Sequence, residues 1–153
     1  MYKSQLSDNS VSICQSNSGE VNLIKDLLSL ANLTVNGVEQ NVRNFLSLYY
    51  NESLIGTIGL EIYDNNALLR SLAIDKQYQN RGFGKMLCSE IINKAQIKNI
   101  KKLYLLTETA EKFFESLGFE KIPRESADDL VKTSEEFSSI CPSTAICMQL
   151  TLD

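Results

Sequence analysis

Two groups of residues in this chain are suited to chemistry. The first is Gln79-Asn80-Arg81-Gly82-Phe83-Gly84-Lys85, which follows an apolar stretch and a polar turn and leads into an amphipathic segment. A helix that starts on glycines leaves its first-turn amides uncovered. Their partial positive charge makes a seat for phosphate or pyrophosphate, so a nucleotide cofactor is expected to dock there. The second is Arg70, which interrupts the otherwise apolar run Leu68-Leu69-Arg70-Ser71-Leu72-Ala73-Ile74. A buried, unpaired guanidinium is costly, so Arg70 needs an anion: either a substrate carboxylate or oxyanion, or a carboxylate of the protein, with Glu61 a candidate.

Residues that are missing constrain the chemistry as much. The chain has no histidine, which removes the usual general base, the Ser/His and Cys/His nucleophile systems and most catalytic metal sites. Cysteines 14, 88, 141 and 147 form no CxxC pair, so no metal is expected, and Cys14 and Cys88 read as small buried hydrophobes of a reducing compartment. A formal net charge of -4 gives no general field for nucleic acid or an anionic membrane. Lys94, Lys98, Lys101 and Lys102 read as a solvated helix face and its loop. Residues 1–9 are polar and lack the apolar centre of a signal peptide, and no apolar run approaches a membrane span. The expectation is a cytoplasmic protein whose 153 residues, 43% of them hydrophobic, form a single domain over 1–153 with a flexible or loosely packed stretch at 1–9.

The elements that must position these groups follow from periodicity. Val11 to Gln15 alternates as a strand; Asn17 or Ser18 caps a helix carrying Ile24, Leu27, Leu28 and Ala31 on one face. Asn36-Gly37 turns into a short helical piece, Val38 to Val42. Phe45 to Tyr50, Leu54 to Tyr63 and Ala67 to Ile74 read as an antiparallel meander turning at Asn51-Glu52 and Asp64-Asn65-Asn66, with twist or a bulge at Gly56 or Gly59. A helix after Gly82 carries Leu87, Cys88, Ile91 and Ala95 on one stripe. The strand Lys102 to Thr107 then completes a parallel crossover. Thr109 caps Ala110 to Leu117, Gly118 stops it, and Phe119 to Ile122 is a strand. Ser126 caps one more helix, and Ser143 to Leu152 closes the chain. The fold class is α/β (α+β by some schemes) with a mixed central sheet.

Two elements in this order carry a resemblance. Gln79-Asn80-Arg81-Gly82-Phe83-Gly84 matches the Arg/Gln-x-x-Gly-x-Gly/Ala loop of the GNAT acetyltransferases, and Phe114-Glu115-Ser116-Leu117-Gly118-Phe119 matches that family's aromatic-x-x-x-Gly-Phe element. A Rossmann reading fails, because the third glycine of its fingerprint falls on Leu87. The chain therefore resembles a GNAT N-acetyltransferase. That implies a parallel, splayed central strand pair and acetyl-CoA as donor, with coenzyme A as product. Its pyrophosphate would lie on Gln79, Asn80, Arg81, Gly82, Phe83, Gly84 and Lys85, its pantetheine along Leu72, Ala73 and Ile74, and its acyl end by Ser71 and Thr107, with Phe113 and Phe114 nearby. Leu105-Leu106-Thr107-Glu108-Thr109-Ala110-Glu111-Lys112-Phe113-Phe114 resembles a segment of the N-acetylglutamate synthases, and both it and Glu136-Phe137-Ser138-Ser139-Ile140-Cys141-Pro142-Ser143-Thr144-Ala145 resemble the arsenic-resistance N-acetyltransferases more closely. This implies a small amino-acid-like amine as acceptor and a detoxification role, with Cys141 and Ser143 on the acceptor side and a homodimer possible.

The chain departs from the family at three positions. A glutamate that often serves as base near the start of the central strand is Leu68, a tyrosine that often serves as acid is Phe114, and the synthases' carboxylate-binding arginine is Cys141. Glu61, on the neighbouring strand, is the candidate base, its alternative being an exposed strand-edge carboxylate. Arg70 is the candidate clamp and Arg124 a weaker second. Tyr63 and Tyr104 are either proton donors or packed aromatics. Two further readings stand beside the small-amine enzyme: a protein or peptide acetyltransferase, and a non-catalytic acetyl-CoA-binding module.

Overall fold

The computed structural model describes residues 10–153; the stretch at 1–9 lies outside the described residues. Seven strands form one mixed sheet: β1 (Val11–Gln15), β2 (Phe45–Tyr50), β3 (Ser53–Tyr63), β4 (Asn66–Ile74), β5 (Lys102–Thr107), β6 (Glu120–Ile122) and β7 (Ile146–Thr151). Their order is β1-β2-β3-β4-β5-β7-β6. The helices are α1 (Val21–Leu30), α2 (Val38–Asn41), α3 (Phe83–Ile97) and α4 (Glu111–Ser116). The mixed α/β class is the one expected. β1 and β2, and β2 and β3, pair antiparallel. β4 and β5 pair in parallel from Asn66↔Lys102 to Leu68↔Tyr104, and β7 runs antiparallel to both β5 and β6. The fold divides into two compact units: the described part of Met1–Gly59 with Ser71–Ile91, and Leu60–Arg70 with Ile92–Asp153.

In the first unit, a capping box specifies the 3₁₀ turn Ser18–Glu20 that leads into α1. Asn17 accepts from the Gly19 amide at 2.9 Å, and Glu20 accepts from the Asn17 amide at 2.9 Å; such caps are worth about 0.5–2 kcal/mol. The other Glu20 oxygen takes the Tyr49 hydroxyl, and that bond, with burial, pushes the Tyr49 phenol up to about 12. Ile24, Leu27 and Leu28 bury against Val38, Phe45 and Ala73, as the 3.6-residue spacing requires. β3 carries a bulge opposite Leu48 and Tyr49, where Gly56 pairs Leu48 but Leu54 pairs Tyr49. Its glycines serve packing. A Cβ on Gly56 would lie 2.9 Å from Ile74 Cδ1 and 3.1 Å from Leu87 Cδ1, and one on Gly59 would lie 2.3 Å from the Phe45 ring. Phe45 is fully buried and has nowhere to retreat. Gly59→Ala is therefore expected to cost about 1–3 kcal/mol through overpacking, read as a lower urea midpoint at unchanged m-value; an unchanged midpoint would mean the ring can move.

In the second unit, Leu68, Tyr104, Val131, Phe137 and Cys147 form the core. The turn closing α4 has Gly118 at φ 100°, the left-handed conformation that glycine adopts without strain. Two expectations fail here. Thr109 does not cap α4; the Thr107 hydroxyl accepts the Ala110 amide at 2.9 Å instead. Ser126 starts no helix either. Residues 124–140 wind as short pieces: 3₁₀ turns at Arg124–Ser126 and Val131–Thr133, and a π-helical turn at Glu136–Ile140. Asp128 is the cap there, accepting from the Leu130 and Val131 amides at 3.1 and 3.2 Å. Short polar side chains that bond nearby amides favour tight turns over continuous helix.

Candidate functional site

The loop at residues 79–85 is built by local rules in the first unit. Leaving β4, Asp75 accepts the Gln77 amide at 2.9 Å and so caps the 3₁₀ turn Lys76–Tyr78. Asn80 (φ 66°) and Gly82 (φ 86°) are both left-handed, and they turn the chain sharply into α3, whose first bond runs from the Met86 amide to Gly82 O at 3.0 Å. The amides at the start of α3 precede that first bond and point along the helix axis. A Cβ on Gly82 would meet nothing within 4 Å, so the loop is open at that position. An aromatic group steadies it: Tyr50 packs on Tyr78 at 5.3 Å and on Phe83 at 6.0 Å, and the Arg81 guanidinium lies 5.2 Å over the Tyr78 ring. The Gln79 side-chain amide donates to Ile74 O at 3.1 Å. Leu72 and Ile74 are half-buried and Ala73 buried. Ser71 has φ 63°, a conformation that costs a non-glycine residue about 1–3 kcal/mol and is found where the surroundings impose it, functional sites among them.

The second unit holds the charged centre. Arg70 Nη1 donates to Glu61 Oε2, and Arg70 Nε lies 3.4 Å from Glu136 Oε2. The side chains are 2% exposed for Arg70, 13% for Glu61 and 10% for Glu136. Of the two sequence readings of Arg70, the ion pair with Glu61 is present. Glu61 is likewise no exposed edge carboxylate: its Oε1 accepts the Tyr63 hydroxyl at 2.7 Å. Burial first, then that bond, raises the Tyr63 phenol above its ordinary value. Tyr104 is buried, and its phenol is also raised, chiefly by burial; it is a packed aromatic.

Glu136 was not singled out as a site residue by sequence reasoning. The only signal for it was indirect: an arginine in a buried strand demands counter-charge, and the Glu136-Phe137 segment had already drawn notice. Its carboxyl is raised, first by burial and then by Glu61, with Arg70 opposing. A carboxyl raised on folding favours the folded state most when protonated. The stability of the protein relative to Glu136→Gln is therefore expected to fall as pH rises from the ordinary carboxylate range through the raised value, and to level off above it. Urea titrations of both proteins at stepped pH measure this; a difference that grows with pH would contradict it.

The remaining expected residues sort as follows. Thr107 is half-buried and engaged with the Ala110 amide. Phe113 packs edge-on to Phe114 at 5.1 Å, and Phe114 to Phe119 at 5.5 Å. Phe114 and Leu68 are buried and apolar. Cys141 is half-buried with its sulfur 3.9 Å from Glu136 Oε1, and Ser143 is exposed. Burial, then Glu136, pushes the Cys141 thiol up to about 11, and burial does the same for Cys147, so neither is a thiolate at neutral pH. Cys88 is buried as expected, but Cys14 is exposed, because it sits on the outward face of the edge strand β1. Arg124 is not a free clamp. It donates to the carbonyls of Pro142 (2.6 Å), Phe137 (2.8 Å) and Cys141 (3.3 Å) and lies over the Phe137 ring. Among the described residues there is no group of three or more acidic, cysteine or histidine side chains placed to hold a metal, and no helix is long and apolar enough to cross a membrane.

A family model described as acetyltransferase (GNAT) domain matches residues 41–121, more than half of the chain. The chain belongs to the GNAT acetyltransferase family. This GNAT protein is 25% identical over 93 residues to an uncharacterized N-acetyltransferase of Chlorobaculum tepidum, a match covering 60% of this chain and 59% of the relative. It therefore spans less than two thirds of that relative's length. Among solved structures it is similar to the N-acetylglutamate synthase of Neisseria gonorrhoeae complexed with coenzyme A and N-acetyl-glutamate: TM-score 0.80 and 22% identity, covering 94% of this chain and 35% of that one. A GNAT-family acetyltransferase of Staphylococcus aureus Mu50 gives TM-score 0.76 and 21% identity, covering 94% and 100%. Arabidopsis thaliana Naa50 in complex with the bisubstrate analogue CoA-Ac-MVNAL gives 0.70 and 18%, covering 94% and 99%. At these identities the structures establish the fold, which is the one the sequence resemblance implied.

Proposed function

We propose that this GNAT protein is an acetyl-CoA-dependent N-acetyltransferase that acetylates the amine of a small, amino-acid-like molecule in the cytoplasm. The observation that carries the reading is a carboxylate, Glu61, held in place by Arg70 and Tyr63, in a member of a family whose donor loop is present and open at Gly82. Acetyl-CoA, when bound, supplies a thioester carbonyl open to attack by an amine. The amides of residues 81–85, with Gln79 and Asn80, suit its pyrophosphate, and the backbone of Leu72, Ala73 and Ile74 suits its amide-bearing arm as an added strand. Thr107, Phe113 and Phe114 are assigned to the same cofactor on the family resemblance. Glu61 takes a proton from the acceptor ammonium, directly or through water, and so frees the nitrogen lone pair. The C–N bond forms as the C–S bond breaks, and the departing thiolate takes up a proton, giving amide and free thiol. In this reading Arg70 holds the base, and Ser71, Cys141 and Ser143 are left to contact the acceptor.

The likeness to a synthase complexed with N-acetyl-glutamate favours a small acceptor; the likeness to Naa50 complexed with an analogue carrying MVNAL keeps a peptide acceptor as the second reading. The apolar Leu68 and Phe114 are the grounds for a non-catalytic acetyl-CoA-binding module. One assay separates the three: thiol release from acetyl-CoA with amino acids, polyamines, phosphinothricin, arsenical amino acids and short peptides. Turnover confined to small amines is expected. Turnover confined to peptides selects the second reading, and none above background selects the third. The arsenical and phosphinothricin arms also test the detoxification role, and sedimentation at assay concentration tests the homodimer.

A further inference from the structure

Glu136 lies on a π-helical turn, a geometry that recurs at functional positions, and its side chain meets Arg70 from a different element than Glu61 does. One guanidinium thus faces two carboxylates, and the group of three carries a formal charge of -1. Among the charged and titratable side chains around it are Tyr63 on β3, bonded to Glu61, and Cys141 after the turn, with its sulfur near Glu136 Oε1 and Glu108 acting on it in turn; Arg124 donates to the Glu136 backbone carbonyl at 3.4 Å. An arginine paired with a single carboxylate within a few ångströms strongly favours its ionised form, which makes that carboxylate a poor proton acceptor. A second carboxylate on the same arginine opposes this by like-charge repulsion. We propose that Glu136 is a positioning residue for the acetyl transfer: by sharing Arg70 it keeps Glu61 fixed in place yet able to accept a proton. This rests on the reading of Glu61 as base. The Glu136 carboxyl is raised first by burial, with Glu61 adding to it. Interacting acids of this kind titrate as a pair.

The test needs no acceptor. Carboxyl ¹³C resonances of glutamate-labelled protein are followed against pH in the wild type, in Glu136→Gln and in Glu136→Asp. The wild type is expected to show coupled, two-step curves at Glu61 and Glu136. In Glu136→Gln the Glu61 curve is expected to become single-step and to move to lower pH, the direction of removing a like charge. Glu136→Asp, which keeps the charge, should stay within a few tenths of a unit of the wild type. Independent single-step curves in the wild type overturn the proposal even if the variants fail to fold. So does a Gln variant whose Glu61 curve does not move, or an Asp variant that moves as far as the Gln variant. The underlying reading fails separately, if Glu61→Gln turns over as fast as the wild type.

Discussion

Arg70→Ala is expected to remove about 3–5 kcal/mol of folding stability, because it leaves two buried carboxylates without their cation. That is a large share of the roughly 5–15 kcal/mol typical of a domain, so the variant should unfold at a much lower urea concentration at neutral pH. Acidification should narrow the gap, since Glu136, whose carboxyl burial already raises, can then be neutral. The contrast with a full neutral replacement is the informative one. Converting all three at once (Glu61→Gln, Arg70→Met, Glu136→Gln) removes the charges together, and replacing buried ion groups by neutral residues of similar volume is often close to neutral for stability. Urea unfolding of the three proteins, wild type included, measures this. A loss below about 1 kcal/mol for Arg70→Ala would mean that the carboxylates find water or other partners.

The second large effect is on turnover. Glu61→Gln keeps one of the two oxygens, so either the Tyr63 hydroxyl or the Arg70 guanidinium loses its acceptor while Glu136 still faces Arg70; some stability is lost, and the amide cannot accept a proton. A fall in kcat of about 10²–10⁴-fold is expected, the usual contribution of general acid–base catalysis, together with loss of the acid limb of the pH–rate profile. If instead only KM rises, Glu61 binds the acceptor and another group takes the proton. Arg70→Lys separates the two roles further: a lysine keeps the charge but loses the fork that reaches two carboxylates at once, so both stability and turnover should drop.

The donor loop was legible in the sequence because its rules are local. Left-handed Asn80 and Gly82, the Asp75 cap and the start of α3 at Phe83 all follow from neighbours within a few residues. The strands were legible for the same reason, with the bounds of β1, β2 and β5 set by alternation between turn residues. Residues 123–145 were not. Their turns are too short to develop a 3.6-residue period, and Asp128 and Ser134 cap them by bonds that composition alone does not order. The charged centre was half legible. Arg70 announced that it needed a counter-charge and Glu61 was named as a candidate, but Glu136 is far away in the chain, and only the folded second unit brings it to the guanidinium.

The placement of β7 has a consequence for how the protein is made. Residues Ile146–Thr151 are inserted between β5 and β6, so the sheet's last-synthesised strand is an interior one. While the ribosome is still adding it, β5 and β6 each present an open row of amides and carbonyls, a template for pairing with the wrong chain. The second unit therefore has to stay uncommitted until translation has passed residue 151, which makes nascent-chain aggregation, rather than loss of the finished fold, the first defect to look for in variants of β5 and β6.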